Sequence, residues 1–337
     1  MFHHLVITRF AVRANLNRKE GLFGYSLEEL FSPERLRFRL FTMGMVTVPS
    51  MKAQTEQNFR WIVLTDELLP DAIRVELEAL ISDLPNAEVM SNRDFCGPSG
   101  LMWGDDWLES KMSIDASHVL ITNLDNDDGL GRDFVATIQA QVRTDMNNPK
   151  VSSLRIYGLR NTLQWDMFGT DNSRFGRVKP WLRTDAWGEA FFVSPGFSLF
   201  GPVLQMSVKS KIPHASAHFL NWTPAQFRRK LLWLKIKNFR RHIPVTESRM
   251  AEHKIQYQVL KNHDQSHPQR SSGRWVQPIP NEGASPALML NHNNNAIQGR
   301  HLEGNDTYPS VSGPESFGTV AVDWGKVLEF YASLKNL

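Results

Sequence analysis

Short apolar runs alternate with helix-patterned stretches through the first 145 residues, and that alternation restricts the fold more than any other feature of the chain. "LVIT" (5–8), "RWIVLTD" (60–66), "AEVM" (87–90) and "HVLITN" (118–123) read as strands. Ser32-Pro33-Glu34 opens a helix, with Ser as cap, Pro in the first turn and an acid beside it. Leu36, Leu40 and Met43 follow at helical spacing, and Pro49-Ser50 is expected to interrupt the run. Ile73, Leu77, Leu80 and Ile81 mark an amphipathic helix. "WGDDWLESKMSID" reads as loop into helix, and Gly131 to Val142 as a helix with Phe134, Ile138 and Val142 on one stripe. Strands separated by helices predict a mostly parallel, Rossmann-like α/β sheet flanked by helices.

Such sheets bind ligands outside the carboxyl ends of their strands. Arg9, Asp66 and the run Asp125-Asn126-Asp127-Asp128 all fall at that edge. Three carboxylates within four positions repel one another, and a divalent cation relieves the repulsion. Hard Mg²⁺ or Mn²⁺ prefers oxygen ligands and commonly shares its shell with substrate phosphates. If the strand continues, Asp125 and Asp127 point the same way, and Asp128 points oppositely or enters the turn at Gly129. An exposed turn with a helix cap would also use Asp here, but it would not need an apolar strand delivering it to the sheet edge.

Composition narrows the setting. Of 337 residues, 41% are hydrophobic, enough for a substantial core. The single cysteine, Cys96, excludes an intrachain disulfide and a thiolate zinc site. No basic leader with an apolar core opens the chain and no apolar run reaches membrane-spanning length, so a cytoplasmic protein is expected. The net charge of +3 conceals an asymmetry: residues 1–150 hold 15 basic and 22 acidic residues, and the remainder 23 and 13. An acidic first half repels nucleic acid, which is not expected as a partner.

Beyond residue 145 the pattern loosens. "VSSLRIYGL" and "EAFFVSPGFSLF" look like strands, and Trp165, Trp181 and Trp187 lie around them, as core or as platforms for sugar faces. Residues 221–243 form a basic amphipathic segment that can dock its apolar face on the sheet domain or lie on the inner face of an anionic membrane. Residues 264–286 read as a polar loop, and the amide-rich "LNHNNNAIQGR" (290–300) as a surface turn or a partner for hydroxyls. The expected domains are 1–220, divided into a nucleotide and metal half (1–145) and an acceptor half (146–220), and a helical and loop extension over 221–337.

"VITRF", "PSMKAQTEQNFRWIVLTD", "LITNLDNDDGLGRDFVATIQ" and "PGFSLF" together resemble the bacterial rhamnosyltransferase family, glycosyltransferases of GT-A type with a D-x-D motif, over roughly residues 4–220. The resemblance implies a nucleotide-sugar donor and a Mn²⁺ or Mg²⁺ ion bridging its diphosphate. It implies Asp127 as the direct metal ligand, Asp125 near ribose or a metal-bound water, and Asp128 beside them. It further implies Asp66 at the nucleobase, Thr8, Arg9 and Lys111 on the donor, and a late histidine on the metal, His214 in preference to His218. Sugar transfer passes through an oxocarbenium-like state, and an inverting enzyme needs a carboxylate to deprotonate the acceptor hydroxyl. Asp185 and Glu189 are the candidates, for a glycan or lipid-linked acceptor. The alternatives are a nucleotidyltransferase, which would carry a tighter glycine pattern after the first strand, and a non-catalytic carbohydrate- or membrane-binding relative of the same fold.

Overall fold

The computed structural model describes residues 1–13, 26–96, 116–148, 155–158, 161–166, 177–182, 184–185, 188–189, 196–202, 276–278 and 287–291. In chain order the elements are β1 (Phe2–Arg9), α1 (Leu27–Leu30), α2 (Pro33–Thr42), a π turn (Met43–Thr47), α3 (Val48–Lys52), β2 (Arg60–Thr65), α4 (Asp71–Ile81), β3 (Ala87–Ser91), α5 (Asn92–Cys96), β4 (His118–Asn123), β5 (Gly129–Leu130) and α6 (Phe134–Met146). There follow β6 (Arg155–Gly158), β7 (Asn161–Asp166), β8 (Arg177–Leu182), β9 (Thr184–Asp185), β10 (Gly188–Glu189), β11 (Phe197–Pro202), β12 (Val276–Pro278) and β13 (Ala287–Asn291).

The central sheet has seven strands in the order β12-β6-β11-β4-β1-β2-β3. Pairings β3–β2, β2–β1, β1–β4 and β12–β6 are parallel, whereas β11 runs antiparallel to both β4 and β6. This is the mostly parallel α/β sheet that the alternation predicts. The central strands are buried on both faces: Leu5, Val6, Ile7, Trp61, Val63, Val119 and Leu120 are all at most 1% exposed. A strand with no wet face reads as a continuous apolar run, and these do. Tyr157 on β6 donates to Asp145 on α6 at 2.8 Å, tying the later strands to the last helix of the first half.

Three local expectations are corrected. Pro49 does not stop the helical run; the chain passes through the π turn and resumes as α3, with Pro49 in its first turn. Val48 N–H bonds to the Met43 carbonyl five residues back, and the wider turn accommodates a residue with no N–H of its own. The helix expected from Gly131 begins instead at Phe134, with Asp133 at its cap, although Phe134, Ile138 and Val142 are buried as expected. The polar stretch 264–286 contains β12, an edge strand of the central sheet.

A second sheet has the order β5-β13-β7-β8, and β9 and β10 form a separate hairpin. β12 and β13 thus join sheets built otherwise from the first 220 residues, although both lie in the stretch expected as an extension. No helix among the described residues is long and apolar enough to cross a membrane.

Candidate functional site

The carboxyl ends of β1, β2 and β4 meet at one edge. β4 ends at Asn123, and Leu124 N–H still bonds to the Ile7 carbonyl at 3.0 Å. Residues 125–128 then turn: Asp128 N–H bonds to the Asp125 carbonyl at 3.2 Å, and the chain re-enters extended structure at Gly129. Of the two arrangements open to the acids, a continuing strand or a turn, the structure has the turn. Asp125 and Asp127 are half-buried, whereas Asn126 and Asp128 are buried at 8% and 4% exposure. A tight turn separates the side chains into two sets, as a strand would have done.

The far side of the turn is fixed by the segment between the π turn and β2. Ser50 Oγ donates to the Thr47 carbonyl at 2.8 Å and accepts from Leu130 N–H at 3.2 Å. Gln54 donates to the Gly131 carbonyl at 2.9 Å and accepts from Val135 N–H at 3.1 Å. Thr55 Oγ1 donates to Asp133 at 2.8 Å. A Cβ on Gly129 would lie 3.3 Å from Val46 Cγ1 and 3.4 Å from Ser50 Cβ, so a larger residue fits only if these neighbours give by a few tenths of an ångström. Sequence reasoning missed Ser50, Gln54 and Thr55, because their partners lie some 80 residues away and no local period marks them.

Arg9, at the end of β1, forms an ion pair with Asp125 at 3.0 Å, and its side chain is 18% exposed. Thr8, one residue earlier, is fully buried and accepts the Trp61 indole N–H at 2.9 Å. The structure therefore places Thr8 in the core and Arg9 at the edge.

Asp66 is fully buried and both of its oxygens are engaged. Oδ2 accepts from Arg13 N–H at 3.1 Å, Arg13 Nε at 2.9 Å and Asn92 Nδ2 at 2.9 Å. Oδ1 accepts from Arg13 Nη2 at 2.8 Å and from Leu68 N–H at 3.1 Å. Burial pushes this carboxyl's pKa up, but the Arg13 guanidinium and two backbone N–H groups outweigh it and hold the carboxyl below its ordinary value. The Asp66 bond in turn raises the pKa of Arg13. Glu67 is held low by Arg93 and, further, by Arg13. Asp66 thus clamps the chain leaving β1, where Ala11 takes φ of 146° and its carbonyl accepts Asp66 N–H at 3.2 Å. Positive φ at a residue with a Cβ stores strain, and this clamp holds it in place. Arg13 and Asn92 carry no sequence signal, since each meets Asp66 only through the fold.

A second polar device lies just below the edge. His4 on β1 is buried, with Nε2 2.8 Å from Thr122 Oγ1 and Nδ1 3.2 Å from Gln139 Nε2. Gln139 accepts from Arg143 through Oε1 at 2.8 Å, so its amide nitrogen faces His4 and also donates to the Asn58 carbonyl at 2.8 Å. That arrangement makes Nδ1 the acceptor and Nε2–H the donor to Thr122. Thr122 meets Ser198 at 2.7 Å, and Ser198 donates to the Gly196 carbonyl at 3.1 Å. Gly196, at φ of 83°, returns its N–H to the Asn123 carbonyl at 3.0 Å. The chain of bonds seats the start of β11 against the end of β4.

Asp185 and Glu189 lie on the β9–β10 hairpin, opposite Gly188 and Thr184 in register. Lys111, His214 and His218, the stretch 103–115 expected as loop into helix and the basic segment 221–243 lie outside the described residues. Among the described residues, no three His, Cys, Asp or Glu side chains gather into a metal-sized group. The donor chemistry at the turn still suits a hard cation: Mg²⁺ is commonly bound by one or two carboxylates, with waters and substrate phosphates completing its shell.

A mostly parallel α/β sheet with acids at its carboxyl edge defines a ligand-binding class of folds. Residues 3–153 match the family described as "Putative rhamnosyl transferase", so the resemblance expected from the sequence holds over a stretch that includes the whole acid turn. Among solved structures, S. aureus TarS, residues 1–349, is 11% identical, with 63% of this chain and 51% of that chain covered and a TM-score of 0.33. The same TarS fragment in complex with UDP is 11% identical, with 67% and 53% covered and a TM-score of 0.31. The glycosyltransferase GlyE of Streptococcus pneumoniae TIGR4 is 11% identical, with 99% and 65% covered and a TM-score of 0.34. The chain spans about half the length of the TarS fragments it matches. No curated protein matches the sequence.

Proposed function

We propose that this chain is a metal-assisted glycosyltransferase that moves a sugar, rhamnose or another hexose, from a nucleotide-sugar donor to a glycan or lipid-linked acceptor. The observation that carries the reading is the acid turn, set at the carboxyl edge of β4, flanked by Arg9 and lying within the matched residues 3–153. Asp127 is the direct ligand of Mn²⁺ or Mg²⁺, and Asp125 serves the donor ribose or a metal-bound water. Asp128, buried in the turn, completes the acidic field. When bound, the ion supplies charge that offsets what grows on the departing diphosphate. Arg9, paired with Asp125 at 3.0 Å, supplies a fixed guanidinium beside the same position. Lys111 and His214 are assigned to the donor and the metal on the resemblance alone. Asp185 or Glu189 takes the proton of the acceptor hydroxyl if the transfer inverts configuration. Asp66, saturated by Arg13 and Asn92, serves the nucleobase chiefly by fixing the wall of the edge.

A thermal-shift panel of UDP-, GDP- and dTDP-sugars with and without Mn²⁺ tests this reading. One nucleotide is expected to raise the melting temperature in a Mn²⁺-dependent way, and Asp127→Ala to abolish that rise while melting cooperatively. A panel without any Mn²⁺-dependent shift, or an unaltered shift in Asp127→Ala, would refute it. Residues 221–243 are proposed to carry peripheral membrane contact, and the absence of salt-sensitive flotation with anionic liposomes would end that idea.

A further inference from the structure

The strand registers bring the second sheet to the acid turn by one particular end. β5 begins at Gly129, immediately after Asp128, and pairs antiparallel with β13, Leu288 opposite Gly129 and Ala287 opposite Leu130. β13 therefore runs toward the end of the sheet from which the acid turn emerges. β7 runs parallel to β13, with Asp166 opposite Asn291. β8 runs antiparallel to β7, with Arg177 opposite Asp166. Arg177, Asp166 and Asn291 thus form the last row of the sheet at the acid-turn end. Strand geometry puts Asp166 about 10 Å along the strands and about 10 Å across them from Gly129.

Residues opposite one another in register share a face of the sheet, and residues two apart along a strand share it too. The row two residues in, Lys179, Gln164 and Met289, is on the same face as the last row. The intervening row, Val178, Trp165 and Leu290, belongs to the other face and is apolar throughout. Apart from Met289, the two rows on that face are polar, and they lie at the end that meets the acids.

We infer that the row Arg177–Asp166–Asn291, which strand register sets at the acid-turn end of the second sheet, is a rim that binds the hydroxyls of a sugar acceptor. A carboxylate accepts two hydroxyl protons, an amide both donates and accepts, and a guanidinium donates in a planar fork, which is the mixture a polyhydroxylated ring requires. The inference rests on the glycosyltransferase reading and adds to it the side of the site that receives the sugar.

The test uses the full chain loaded with Mn²⁺ and UDP, GDP or dTDP. Nucleotide affinity is measured by calorimetry. Saturation-transfer NMR then reads engagement of the methyl glycosides of rhamnose, glucose, galactose and mannose. The wild type is expected to bind one nucleotide and engage at least one glycoside. Asp166→Asn and Asn291→Ala are each expected to lower the glycoside signal at least five-fold and to leave nucleotide affinity within two-fold. Arg177→Lys, which keeps the charge and loses the fork, provides a third variant should either of these fail to fold. If the wild type binds nucleotide but engages no glycoside, or if folded variants keep the signal, the rim is wrong and the donor reading stands. Should nucleotide affinity fall in step with the glycoside signal, the row is structural. A wild type that binds no nucleotide removes the glycosyltransferase reading and the rim with it.

Discussion

His4 should make this protein acid-sensitive in a window where its carboxylates alone would not. The imidazole is fully buried, accepts an amide N–H at Nδ1 and spends its Nε2–H on Thr122. A second proton would have to enter at Nδ1, against the Gln139 amide and with the Arg143 guanidinium one hydrogen bond further on. The Phe59 ring, its centroid 6.4 Å from that of His4, offers no compensating charge. Burial accordingly pushes the pKa of His4 down to about 3, from 6.5 in the unfolded chain. Because the folded state rejects the proton, the stabilising contribution is complete above pH 6.5 and is lost as pH falls toward 3. At pH 4.5 the loss is about 2.7 kcal/mol, and below pH 3 it approaches about 5 kcal/mol. Urea melts at pH 7 and pH 4.5 on the wild type and on His4→Gln measure it. Gln cannot titrate, so its stability should fall between the two pH values by about 2.5 kcal/mol less than that of the wild type. Other titrating groups act equally in both proteins and cancel in the difference. Equal losses in the two proteins would refute the neutral, buried imidazole, whatever the variant costs at pH 7.

Asp66→Asn takes the buried carboxylate from Arg13, leaving it Glu67 at 3.1 Å, and should destabilise by about 3 kcal/mol, read by urea melts at pH 7. Asp66 also adds to the acid response: its lowered pKa means stability present above the unfolded value and lost as pH falls through the folded one, so Asp66→Asn should flatten the most acidic part of the profile. Gly129→Ala presses a methyl group against Val46 and Ser50 and should cost about 1 kcal/mol, visible as a lower melting temperature. Ala11→Gly relieves the backbone at φ of 146° and should gain up to about 1 kcal/mol, and a loss instead would mean that no strain is stored there.

The parts of the site that could be read in the sequence are those written in consecutive residues. The apolar run of β4 and the acids after it are neighbours in the chain, so both the strand and its acidic end were visible, as was the capped start of α2 at Ser32. The posture of the acids was not visible. Strand and turn were both open on the sequence, and the observed turn depends on Ser50 and Gln54 gripping Leu130, Gly131 and Val135 from a segment remote in the chain. Asp66 was recognised by its place after β2, but its partners Arg13 and Asn92 lie 53 and 26 residues away. Pro49 read as a break because proline lacks an N–H, and a π turn absorbed the deficit without ending the helix.

By itself, the sequence determined the period of each element, the parallel character of the early sheet and the chemistry at its carboxyl edge, because hydrophobic periodicity and turn composition are local properties of the chain. Only the tertiary structure decided that β11 enters the sheet antiparallel beside β4, that β12 and β13 return from beyond residue 270 to complete two sheets, and that His4 is sealed and uncharged. The physical reason is the same in each case: hydrogen-bond register and desolvation are set by which distant segments meet, and side-chain periodicity carries no record of those meetings.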